Sequence, residues 1–475
     1  MRSLRFFTTI LFVILISSFV TKKKLKHFNP EKNYSVQELQ EDFTALRRGI
    51  EKKQPNLYLY TSKQRMDVVF DSLFSGITKP MNFYEFFSYI TPICSFIKDG
   101  HNLISPGEAI GNYADKYQAY LPLHISSFDG KLYADKNYSK DTSLFDGAEI
   151  LSINGKSATQ IRNDFLLRMV RDGENTTLPE WIMNTYFRGF FGFLSGFPTN
   201  YSVAYVTKEG AVVTTNLSAM PIDSILKVAK TKYAANVAAQ RIRTGIQLRF
   251  DSLSKTAILS VQTFDADLLK KQYHLHFKKV IDKMFLKIDS AKSETLIIDV
   301  RDNGGGNPVF SRYLLQHIMK DRFVYAEGTL QTRRFNPGHH WNRLAKCRVV
   351  GFGKGSFSPM KNAFKGKIIV LINGGSFSAS GEFASVLSRY KRAIFVGEET
   401  GGNRTICGGR IFDSKLVLPH TRIVCFVGTE ATVIRNINEN DGHGTMPDYF
   451  VKNNLADIIG VHDAIMEFAL SLVRK

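Results

Sequence analysis

LIIDVRDNGGGN (Leu296 to Asn307) and IIVLINGGSFSASGEFA (Ile368 to Ala384) decide the fold class of this chain. Each opens on a short apolar run and passes directly into a glycine-rich turn. Two further runs flank them, AILSV (Ala257 to Val261) and AIFV (Ala393 to Val396). Short continuous apolar runs are the pattern of strands buried on both faces. Between the first two runs, Leu269, Tyr273, Phe277, Val280, Met284 and Ile288 trace a helical stripe. Strands linked by helices of this length predict an α/β core with a largely parallel sheet and right-handed crossovers. Open sheets of this kind place their sites at the carboxyl ends of the strands, which is where both glycine-rich turns fall.

Upstream of the core the texture changes twice. In SVQE, Ser35 and Glu38 have the spacing of a capping box, and Val36, Leu39, Phe43, Leu46 and Ile50 then recur at intervals of three and four. A helical domain is expected over 34–104, ending at the polar turn Lys98-Asp99-Gly100-His101. The segment 115–225 shows short apolar runs between turn residues, with a hairpin turn at Lys208-Glu209-Gly210. Inside it, DGAEILSINGKSATQI (Asp146 to Ile161) resembles the strand, Asn-Gly turn and helix of PDZ domains, with Glu149 where those carry Asp. A PDZ-like module implies extended peptide ends bound by strand addition. Residues 226–475 then form the α/β core.

The chain has 475 residues, 44% of them hydrophobic and 22% charged. That composition excludes disorder, collagen-like repeats and a polytopic membrane protein. Lys and Arg number 63 against 43 Asp and Glu, a formal charge of +20, which attracts anionic partners without choosing among them. Residues 1–21 read as an export signal: two arginines, an apolar and hydroxyl run from Phe6 to Val20, then Lys22 to Lys24 at the start of a basic linker, 22–33. Cleaved signal and uncleaved membrane anchor are both open. Either puts the chain in the periplasm or cell envelope and argues against a nucleic-acid partner. Cys94, Cys347, Cys407 and Cys425 lack paired zinc-site spacing and read as isolated thiols, with a Cys407–Cys425 bridge as the alternative. His339 and His340 have no third ligand at metal spacing, so neither metal nor cofactor is expected.

Two loops can do chemistry. In DVRDNGGGN (Asp299 to Asn307), three glycines free the backbone amides to face an anion or oxyanion, while a P-loop is excluded because no G-K-[ST] follows. In NGGSFSASGEFA (Asn373 to Ala384), a serine at a strand-to-helix turn has the logic of a nucleophile elbow, and Ser376, Ser378 and Ser380 compete on pattern alone.

The order DxRxNGGG, NGGSxSAS, GEETGG and GHGTMPD resembles the serine peptidases of the C-terminal processing protease and tricorn family. That resemblance implies a crotonase/Clp-type α/β core with an N-terminal helical cap and a degenerate PDZ-like β insert. It implies Ser378 as nucleophile, with oxyanion-hole amides from Ala379 and from Gly304 or Gly305. The processing branch uses a Lys in G-E-x-T-F-G-K-G as base, but Asn403 stands there in this chain, and a neutral amide cannot accept the serine proton. The tricorn branch uses a His before the PDZ-like insert, which implies His101, oriented by a late Glu: Glu439, with Glu430 as the alternative. His443 is read as a loop residue and the second candidate for the base. The expected function is an exported serine endopeptidase acting on polypeptides through an acyl-enzyme, with recognition of their C-terminal ends. The alternative is an inactive ligand-binding or scaffold protein on the same fold.

Overall fold

The computed structural model describes residues 28–234, 244–332, 347–350, 356–409 and 414–474. The export segment, most of the basic linker, and His339 and His340 lie outside the described residues. No helix of the described residues is long and apolar enough to cross a membrane.

The first helix, α1 (Val36–Lys53), starts with the capping box read from sequence: the Ser35 side chain accepts from Glu38 N and the Glu38 carboxylate accepts from Ser35 N. Leu39, Phe43, Leu46 and Ile50 form its buried face. Three shorter helices follow, α2 (Lys63–Ser75), α3 (Phe83–Ile90) and α4 (Ile93–Ile97). Lys98 then takes a left-handed conformation, φ 55°, and ends α4. The turn it opens carries Asp99, Gly100 and His101.

The β module is a meander of strands β1 (Leu123–Phe128), β2 (Lys131–Asn137), β3 (Ala148–Ile153), β4 (Asn200–Val206) and β5 (Val212–Ser218), hydrogen-bonded in that order. Asn154 and Gly155 both have positive φ, 50° and 77°, which is the tight Asn-Gly turn of the PDZ-like motif. Two helices, α5 (Ala158–Arg168) and α6 (Thr177–Ser195), interrupt the meander between β3 and β4. A single hydrophobic cluster joins the buried residues of α1 through α4, the β module and α6. The helical cap and the β module therefore share one core.

The second half is a six-stranded sheet in the order β6 (Ile246–Phe250), β7 (Thr256–Val261), β8 (Thr295–Asp299), β9 (Lys367–Ile372), β10 (Ile394–Gly397) and β11 (Tyr449–Phe450). β6 is antiparallel to β7 and every other pairing is parallel. All four apolar runs are adjacent parallel strands, and β7 and β8 are buried throughout. The single stripe expected between β7 and β8 is instead two helices, Ala266–Lys271 and α7 (Phe277–Ser290), broken where His274 adopts φ 55°. The break shifts the buried face of α7 to Phe277, Ile281, Phe285 and Ile288. Cys94, Cys407 and Cys425 are buried free thiols, so the Cys407–Cys425 bridge is not formed. Cys425 sits opposite Ile104, while Cys407 lies on the strand beside the site.

Candidate active site

Strand β9 ends at Ile372 and the chain turns over Asn373 to enter helix α8 (Ala379–Arg389). The turn is sewn to the glycine loop. Asn373 Oδ1 accepts from the amides of Gly375 and Asp302, both at 3.0 Å. Ser376 Oγ donates to Val300 O at 2.8 Å, and Phe377 N donates to Asn303 O at 3.1 Å. These bonds present Ser378 at φ 53°, ψ −127°, immediately before the helix. Such a conformation in a residue other than glycine costs on the order of 1–3 kcal/mol and persists only where its surroundings over-determine it.

The three competing serines differ in their surroundings. Ser376 and Ser380 are fully buried, the first bonded to backbone and the second without a hydrogen-bond partner for its hydroxyl. Ser378 is partly exposed, and its Oγ lies 3.1 Å from His101 Nε2. Two loops 277 residues apart in the chain thus bring a hydroxyl and an imidazole to hydrogen-bonding distance. The imidazole stacks on the ring of Phe377 at 4.6 Å. Glycine at 100 permits that approach, because a Cβ there would stand 2.6 Å from the Phe377 ring.

The three amides expected at the oxyanion hole separate. Ala379 is the first residue of α8, so its N–H has no intrahelical acceptor. The Gly304 amide has no acceptor among the described residues. The Gly305 amide is already donated to Asn303 Oδ1 at 2.9 Å. Gly305 matters for space: at φ 96°, a Cβ would lie 2.6 Å from Ser378 Cβ and 2.8 Å from the Ala379 amide nitrogen.

Two buried acids face the imidazole. Asp99 Oδ1 is 3.7 Å from His101 Nδ1, an ion-pair distance too long for a hydrogen bond. Asp99 itself accepts from His101 N at 2.8 Å, Gln54 Nε2 at 2.9 Å and Asn56 Nδ2 at 2.8 Å. Asp172 accepts from Gly100 N at 2.6 Å and Asn403 N at 3.1 Å. Burial alone would lower the His101 pKa, but the charge of Asp99, then Asp172 and Glu382, outweighs it and raises it above its ordinary 6.5. Burial and the neighbouring charge of Asp99 push Asp172 up to about 6. Asp99, His101 and Asp172 also offer three ligand atoms within 4.8 Å of one another. All four of these carboxylate oxygens already accept an N–H, the pattern of acids held by hydrogen bonds.

The remaining sequence candidates lie elsewhere. Glu439 is exposed and accepts from Asn436 Nδ2 at 3.3 Å, so the structure does not bring it to His101. Glu430 is on an outlying strand, Glu430–Val433, opposite Gly409. His443 Nδ1 is 3.2 Å from Glu399 Oε1. Asn403 is buried and structural: its Oδ1 accepts from Thr405 N at 2.6 Å and its Nδ2 donates to Tyr60 Oη at 3.1 Å.

Sequence reasoning missed Asp99 and Asp172. Their signal was a pair of similar turns, KDGHN and RDGEN, which the structure sets against each other through Gly173 N to Lys98 O at 2.9 Å. A third Asp-Gly turn joins them, since Glu174 N donates to Gly442 O at 2.9 Å. Other Asp-Gly pairs, such as Asp129-Gly130, are simple turns, so the dipeptide alone does not identify the cluster.

Residues 255–450 match the model of Peptidase family S41, which bears out the resemblance to the C-terminal processing and tricorn peptidases. The tail-specific protease of Haemophilus influenzae is 26% identical over 134 residues, 28% of this chain and 17% of that protein's length. The crystal structure of mature CPAF is similar over 92% of this chain and 96% of its own, with a TM-score of 0.61 and 15% identity. Mature CPAF complexed with lactacystin has the same TM-score, 0.61, at 14% identity, over 92% of this chain and 97% of its own. At these identities the two structures establish a shared fold.

Proposed function

We propose that this chain is a serine endopeptidase in which Ser378 is the nucleophile and His101 the general base. The observation that carries the reading is the 3.1 Å contact between His101 Nε2 and Ser378 Oγ, made at a strained strand-to-helix turn. A neutral imidazole at that distance takes the hydroxyl proton as Oγ attacks the scissile carbonyl. The carbonyl oxygen becomes an oxyanion facing the amides of Ala379 and Gly304. Collapse of the tetrahedral intermediate breaks the C–N bond, and the imidazolium returns its proton to the departing amine. Water, deprotonated by the same imidazole, then attacks the acyl-enzyme and releases Ser378.

Polypeptide is the substrate class that the match to Peptidase family S41 supports. Recognition of extended chain ends is supported by the β module, whose edge strand β5 presents Val212 at 64% and Val213 at 37% exposure. An unpaired edge accepts an added strand through its backbone. Export to the periplasm or envelope rests on the sequence of residues 1–24.

The test is covalent labelling by a fluorophosphonate probe, read by mass spectrometry together with hydrolysis of an unstructured polypeptide. Label on Ser378 that is lost in Ser378→Ala, along with hydrolysis, is the expected result. A folded chain that neither reacts nor hydrolyses would return it to the ligand-binding reading.

A further inference from the structure

We propose that Asp99 is the positioning residue that orients His101 and stabilises its imidazolium, in the place where a late glutamate was expected. This rests on the Ser378–His101 reading above. For Nε2 to accept the serine proton, the ring proton of neutral His101 must sit on Nδ1. That atom is buried and has no hydrogen-bond partner. Asp99 Oδ1 is 3.7 Å away, and catalytic contacts are often long before substrate binds and shorten afterwards. Glu439 is exposed and held by Asn436, and nothing brings it to the ring.

Asp99 is built to keep its orientation. Gln54, which caps the end of α1, and Asn56 both donate to Oδ2, while His101 N donates to Oδ1. Three donors from two parts of the chain fix the carboxylate, and each is a charge-assisted bond that favours the ionised form. Burial would raise the Asp99 pKa, but the imidazole and these donors outweigh it and hold it below the usual carboxylate value. The other groups around the pair are Asp172, against Gly100 and Asn403, Glu382 in α8, Cys407, and Tyr60, which carries Asp441 beyond it. Asp172 and Asp99 repel one another, so of the two Asp172 takes a proton first as pH falls. Asp99 therefore keeps its charge through the range in which His101 titrates.

The experiment compares Asp99→Asn with Glu439→Gln in the full chain, with kcat, KM, the pH profile and folding measured for each. Asp99→Asn is expected to lower kcat by about 10³ to 10⁴-fold with KM little changed, the scale on which an orienting acid acts in a triad. It should also move the acid limb to lower pH, because removing a negative charge disfavours the imidazolium; a purely structural loss would leave that limb in place. Glu439→Gln is expected to keep wild-type turnover. If Asp99→Asn fails to fold, Asn56→Ala carries the test, with kcat reduced roughly tenfold by loss of one charge-assisted hydrogen bond and KM unchanged. Wild-type kcat and an unchanged acid limb in Asp99→Asn, wild-type kcat in a substituting Asn56→Ala, or a 10³-fold loss in Glu439→Gln would each overturn the proposal. Probe labelling of Ser378 in the wild-type chain separates that failure from failure of the Ser378–His101 reading itself.

Discussion

The loop that carries Ser378 and the loop that carries His101 meet at one hydrogen-bond length, yet they are held by different forces. The Ser378 loop is a backbone construction. It leaves a parallel strand buried from Ile368 to Ile372, is tied by main-chain and Asn373 bonds to the glycine loop, and enters a helix whose first nine residues are all buried. Its precision is steric, set by Gly305 against Ser378 Cβ. The His101 loop is a side-chain construction, placed by Gln54, Asn56, Asp99 and Asp172 from a half of the molecule with its own hydrophobic cluster. The lesson is that the Ser378 loop depends on shape and the His101 loop on charge. Substitutions in the first loop should therefore act at every pH, whereas those in the second should change the pH profile.

The largest expected effect is Ser378→Ala, which removes the attacking oxygen while leaving the turn's bonds in place. Hydrolysis should fall by about 10⁶ in kcat, as for loss of a nucleophile that acts as part of a unit. Gly305→Ala probes the same loop by shape. Its Cβ has no room beside Ser378 Cβ and the φ of 96° suits glycine, so probe labelling and hydrolysis should both be lost across the pH range. Label retained in Gly305→Ala at the wild-type rate would break the comparison on the steric side.

On the charge side, His101→Ala should lower kcat by about 10³ or more, the scale seen for triad members. The wild-type profile should have its acid limb above pH 6.5. The base must be neutral, and neighbouring acids raise the His101 pKa, so activity is present above that raised value and is lost as pH falls through it. A limb at or below 6.5 would mean that the neighbouring acids do not outweigh the burial of the imidazole.

Arg301→Ala tests how the start of the glycine loop is anchored in the core, with stability as the readout. Arg301 is completely buried and pairs with Asp299 at 2.6 Å and with Asp463 at 2.8 Å, fixing the cap of the C-terminal helix Ala464–Ser471 to the end of β8. Removing it takes the counter-charge from the buried Asp299 carboxylate, and denaturant unfolding should show a loss of about 3–5 kcal/mol. The smallest effect is expected of Val213→Lys on the exposed edge of β5. Cleavage of long polypeptides should fall a few-fold relative to short peptides, since one pocket on an added strand contributes on the order of 1 kcal/mol. Equal rates on both substrates would remove the edge from recognition. Excising the whole β module cannot make this distinction, because its core is shared with the helical cap.

The sequence by itself determined the α/β core and the positions of both glycine-rich turns, while the family resemblance pointed to Ser378 and His101 as candidates. These are local matters: apolar runs of strand length, a capping box at Ser35, glycines where a backbone must turn or a neighbour come close. Tertiary structure alone decided which acid faces the imidazole, which glycine amide stays free and whether the cap and β module are separate bodies. Glu439 was the acid the resemblance pointed to and Asp99 was not singled out in the sequence; only the folded distances set Asp99 beside the ring and Glu439 away from it. Asn403 shows the same limit from the other side. Its sequence position told what the residue cannot do as a base, while its burial between Thr405, Tyr60 and Asp172 told what it does. Electrostatic partners act over a few ångströms of space across any number of residues of chain, so periodicity and motif spacing carry no record of them.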